Sequence, residues 1–92
     1  MLTVQDVREM RARGDDFLLL DVRSREEFRA GHVEGALNVP LNEISDHTFD
    51  DRFIVVMCRT DNRARVAKRL LEKDHKVDYM KGGYLAWSQY FL

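Results

Sequence analysis

Phe53-Ile54-Val55-Val56-Met57 narrows the choice of fold more than any other stretch. Five apolar residues in a row, the middle three β-branched, read as a strand. A shorter run, Phe17-Leu18-Leu19-Leu20, is too brief for a free helix and suits a strand buried on both faces. Ala36–Val39, stopped by Pro40, and Val77–Met80 read as two further strands.

Helical signals fill the gaps between these runs. Thr3 with Asp6 makes a capping-box pattern, Leu2 is placed to pack on Val7, and the helix is expected to run to about Gly14. Ser24 with Glu27 repeats the pattern before a short helix through Phe28 that stops near Gly31. Residues 41–51 are weakly patterned, with room for one helical turn. Val66, Ala67, Leu70 and Leu71 recur at helical spacing, opposite Arg65, Lys68, Arg69, Glu72 and Lys73. Gly82-Gly83 then breaks the chain before a last helix, whose Tyr84, Leu85, Trp87 and Tyr90 are expected mainly as core filling. Strands alternating with helices imply an α/β fold with a mainly parallel central sheet flanked by helices, because parallel neighbours need crossovers. Ligands of such sheets gather at the C-terminal ends of the strands, and Cys58 directly follows one.

With 92 residues the chain is expected to form one domain, 1–92. Fifteen basic against sixteen acidic residues leave it near neutral, so bulk charge points to neither nucleic acid nor an anionic membrane. A single cysteine excludes an internal disulfide, a dithiol pair and a multi-cysteine zinc site. His32, His47 and His75 are dispersed without metal-ligand spacing, and no metal or cofactor is expected. The N-terminus shows no basic region followed by an apolar stretch, and with the lone thiol this leads to an expected cytoplasmic location.

A solitary cysteine is by default an inert, buried small hydrophobe. Cys58, however, leaves a strand and enters Arg59-Thr60-Asp61-Asn62-Arg63, just before a helix. Unpaired N–H groups in the loop and at the helix start favour a negative charge there. Arg59, Arg63 and Arg65 add full positive charges nearby. Both effects favour the thiolate, the form that attacks soft electrophiles, at the mouth of the loop. No partner base is evident, and a pre-formed thiolate needs none.

Asp21-Val22-Arg23 resembles the D-x-R motif of the rhodanese family. Glu27-Phe28, then Gly31-His32-Val33-Glu34-Gly35-Ala36-Leu37-Asn38-Val39-Pro40, resembles its E-F and G-H-I-x-G-A-x-N-x-P signature. Cys58 to Arg63 resembles the active-site loop C-R-T-G-N-R, and Lys81 to Trp87 the closing G-G-x-x-A-W. Each motif alone is weak, whereas four in order over most of the chain are specific. The resemblance implies the three-layer rhodanese fold. It also implies a sulfurtransferase moving sulfane sulfur from thiosulfate or a persulfide to cyanide or a thiol, with Cys58 as persulfide carrier. A sulfur-relay protein is a further candidate partner.

On this resemblance the amides of Arg59, Thr60, Asp61, Asn62 and Arg63 form the sulfur cradle, and Arg59 offers a planar fork to an anionic donor. Asp21, Arg23 and Arg65 support the loop, with Arg63 a candidate partner of Asp21. Arg23, Glu27, His32 and the Gly82-Gly83-Trp87 element read as architecture. Two positions depart from the pattern: Asp61 stands where glycine is common, and Ala64 where serine often begins the helix. A carboxylate facing the sulfur would disfavour the thiolate and repel anionic donors, unless Asp61 turns outward as a cap. On that basis Asp61→Gly is expected to preserve or improve transfer. A non-catalytic binding or redox-sensing module remains the alternative. A phosphatase or arsenate reductase fits worse, because its C-x5-R loop needs arginine where this chain has Ala64.

Overall fold

The computed structural model describes residues 1–90. Its elements are α1 (Val4–Ala12), β1 (Phe17–Asp21), α2 (Arg25–Ala30), β2 (Leu37–Asn38), a 3-10 helix (Leu41–Asp46), β3 (Phe53–Met57), α3 (Asn62–Leu71), β4 (Val77–Tyr79) and α4 (Gly83–Gln89). Four strands form one sheet in the order β2-β1-β3-β4, and every pairing is parallel. The long apolar runs are thus the two central strands, and the shorter, weaker ones are the edges.

Side chains alternate between the two faces of a strand, which explains why the central runs are apolar throughout. Leu18, Leu20, Ile54, Val56 and Cys58 pack with Ala64, Ala67 and Leu71 of α3 and with Ile44 of the 3-10 helix. Leu19, Val55 and Met57 face the other way, onto Val4 and Val7 of α1, with Tyr84, Ala86 and Trp87 of α4 partly buried against them. Helices therefore cover both faces, and Cys58 points to the α3 side.

Both capping boxes form, through Thr3 with Asp6 and Ser24 with Glu27. Leu2 joins the same apolar cluster as Val7 and pairs with Met80 in a parallel bridge, so the first residues extend the sheet edge. The expected apolar stripe of α3 is displaced. Ala64, Ala67 and Leu71 are buried, while Val66 is 47% and Leu70 46% exposed. Small residues let the helix sit close to the sheet, and the larger pair falls on the solvent side. No helix among the described residues is long and apolar enough to cross a membrane.

The register of the central pair sets Asp21 beside Met57, so β1 and β3 end together. Val22 donates its N–H to the Met57 carbonyl at 2.9 Å, which holds the start of both following loops at one place. Those loops carry Arg23 and Cys58.

Candidate active site

Cys58 sits at the floor of the loop, and its Sγ accepts the Ala64 N–H at 3.4 Å. Ala64 lies in the first turn of α3, where amides have no partner within the helix. The positive end of the ten-residue helix is therefore directed at the sulfur. Cys58 is only 1% exposed, deeper than the loop mouth at which the sequence places it.

The opposite side of the loop is bound to the start of α4. Tyr84 N–H donates to the Cys58 carbonyl at 2.8 Å, and Leu85 N–H to the Arg59 carbonyl at 3.1 Å. Across a trans peptide the C=O and the following N–H point in opposite directions, and no peptide here is cis. Fixing those two carbonyls on α4 thus turns the N–H groups of Arg59 and Thr60 away from it. Gly83 permits the close approach, since a Cβ there would lie 2.3 Å from the Cys58 oxygen and 2.6 Å from those of Arg59 and Thr60. Its φ of +57° independently favours glycine.

Arg63 does not pair with Asp21. Its Nη1 and Nη2 donate to the two carboxylate oxygens of Glu27 at 2.6 and 3.0 Å, a bidentate fork from the loop to α2. The same Glu27 accepts the Ser24 N–H in the capping box. The Arg63 fork, aided by Ser24, holds the Glu27 carboxyl at about 2, well below its ordinary 4.5. Arg63 in turn is raised, chiefly by Glu27, with Cys58 and Asp21 adding weaker attractions. Asp21 spends its carboxylate on Arg23, accepting its backbone N–H at 3.0 Å and its guanidinium at 2.8 to 3.1 Å. Arg23 also donates to the Gly31 carbonyl at 2.8 Å and lies over the Tyr84 ring at 4.5 Å. This buried pair braces the end of α2 against α4.

Arg59 is exposed and, among the described residues, forms no ion pair. It lines a pocket of about 320 Å³ with Arg23, Glu27, Ala30, Gly31, Tyr84, Leu85 and Ser88. Arg23 and Glu27 are both neutralised by partners, which leaves Arg59 as the open cation on that wall. Arg65 lies elsewhere, 6.0 Å from the Tyr79 ring centroid, along the outer face of α3 with Asn62 and Arg69. Thr60 is exposed, and Asp61 turns its carboxylate to the Gly82 N–H. No group of three or more His, Cys, Asp or Glu among the described residues could hold a metal ion.

A model of the rhodanese-like domain matches residues 3–90. The chain belongs to the rhodanese-like family. Among curated relatives, a probable molybdopterin-synthase adenylyltransferase of Porphyra purpurea is 33% identical over 78% of this chain and 20% of its own length. The adenylyltransferase and sulfurtransferase MOCS3 of Drosophila grimshawi is 36% identical over 77% of this chain and 19% of its own. The chain thus spans about a fifth of those two relatives. The solved structure of the human single-domain sulfurtransferase TSTD1 superposes with a TM-score of 0.84 at 26% identity, covering 97% of this chain and 95% of that one.

From sequence, Glu27 and the Gly82-Gly83-Trp87 element read as architecture only. Local patterning shows a capping glutamate but has no signal for a fork to an arginine 36 residues away. Consecutive glycines were the available clue that backbone approaches backbone at residues 82–83.

Proposed function

We propose that this rhodanese-like chain is a sulfurtransferase in which Cys58 alternates between thiolate and persulfide. The observation that carries the reading is the enclosure of one sulfur atom by the Ala64 N–H and the α3 N-terminus, with the loop carbonyls pinned to α4 so that loop amides turn the other way. Such an arrangement stabilises an anionic sulfur without a general base.

In the first step the Cys58 thiolate attacks the outer sulfur of thiosulfate. An S–S bond forms to Cys58, the S–S bond of thiosulfate breaks, and sulfite departs with the electron pair. In the second, cyanide or a thiolate attacks the outer sulfur of the persulfide, and the electron pair of that S–S bond returns to Cys58. The acceptor leaves as thiocyanate or as a new persulfide. Arg59, on the pocket wall, orients the sulfonate of thiosulfate or the carboxylate of an organic persulfide. Near-complete burial of Cys58 restricts the donor to one whose reacting sulfur enters the loop while the remainder stays outside.

The same burial favours a second reading, a non-catalytic module with an idle thiol. Thiocyanate production from thiosulfate and cyanide separates the two. The sulfurtransferase forms it and Cys58→Ser does not. An inactive wild type, tested with both thiosulfate and an organic persulfide, would establish the module instead.

A further inference from the structure

Asp61 occupies the N-cap position of α3, yet its side chain makes no bond to that helix. Its Oδ1 instead accepts the Gly82 N–H at 2.8 Å. The backbone there is at φ −132°, outside the left-handed region, so the loop does not require glycine at this position. Gly82 itself is left-handed, at φ +82°, and opens α4.

The carbonyls of Cys58 and Arg59 are held by the next amides of the same turn, Tyr84 and Leu85. Residues 58, 59 and 61 are therefore tied in sequence to residues 84, 85 and 82. Among these three ties, only the one from Asp61 is made by a side chain. Resting on the sulfur-transfer reading, we propose that Asp61 is a positioning residue that latches the loop after Cys58 to the Gly82 turn and so holds the start of α3, with its Ala64 N–H, against the sulfur. The carboxylate that sequence treats as a threat to the thiolate thereby serves the cradle.

Removing it leaves the Gly82 N–H without its acceptor and frees the loop where it enters α3. Asp61→Gly, which restores the commoner family residue, then lowers turnover, contrary to the expectation from sequence. Asp61→Asn retains a carbonyl oxygen that can accept the same N–H.

The test measures thiosulfate:cyanide kinetics and hydrogen exchange at the Gly82 amide by NMR for wild type, Asp61→Asn, Asp61→Gly and Asp61→Ala. Truncation to Gly or Ala is expected to lower kcat about ten- to a hundredfold, with a smaller change in KM, and to speed Gly82 exchange about tenfold or more. Asparagine is expected to recover most of both. Unchanged Gly82 exchange on truncation overturns the latch, as does glycine turnover at or above wild type. An asparagine variant as impaired as glycine overturns it too, by assigning the effect to charge. Should wild type transfer no sulfur, the sulfurtransferase reading falls, and Gly82 exchange still decides the latch.

Discussion

Glu27→Gln removes the charge of the Arg63 fork while keeping a side chain that can complete the capping box with Ser24. A carboxyl at about 2 in the folded chain against 4.5 when free corresponds to about 3 kcal/mol. The Arg63 and Glu27 side chains are 37% and 32% exposed, so solvent screening reduces this to about 1 to 2 kcal/mol. For a chain of this size that lowers Tm by about 4 to 16 °C. A depressed carboxylate stabilises the fold fully above its free value and loses that contribution as pH falls toward the folded one. The gap between wild type and variant should therefore be constant from pH 7 to about pH 5 and narrow steadily as pH falls from 4.5 toward 2. Urea unfolding of both proteins at pH 7, 5, 4 and 3 reads it directly. Equal midpoints at pH 7, or a gap as wide at pH 3 as at pH 7, would refute the reasoning.

Gly83→Ala places a Cβ 2.3 Å from the Cys58 oxygen at φ +57°. It should cost about 2 to 3 kcal/mol in urea unfolding and about a hundredfold in transfer, because the loop must shift. Arg59→Ala should raise KM for thiosulfate about tenfold with little change in unfolding, since Arg59 has no ion-pair partner among the described residues; initial-rate kinetics measure this. Val66→Lys should change stability by less than about 0.5 kcal/mol, whereas Ala67→Leu, buried against the sheet, should cost about 1 to 3 kcal/mol.

Much of the fold is legible because single elements carry their own signals. The apolar run at 53–57 coincides with β3, and both capping boxes form where Ser/Thr and an acid stand three apart. The stripe of α3 was displaced because periodicity weighs large residues, while the sheet selects small ones at Ala64 and Ala67 for close packing. The position of Cys58 and its loop between β3 and α3 was legible from local context and family pattern. The partners of Arg63 and Asp61 were not, since Glu27 and Gly82 are brought to them only when α2 and α4 dock at the ends of β1 and β3. Local rules name a polar side chain's options, and tertiary packing chooses among them.

Each step of the proposed transfer requires Cys58 to store one sulfur atom. Intact-mass spectrometry of the purified chain after incubation with thiosulfate or a small organic persulfide tests it most directly. A gain of one sulfur atom in wild type, lost on adding cyanide and absent in Cys58→Ser, is the predicted result. No gain in wild type with either donor, or an equal gain in the serine variant, would contradict it.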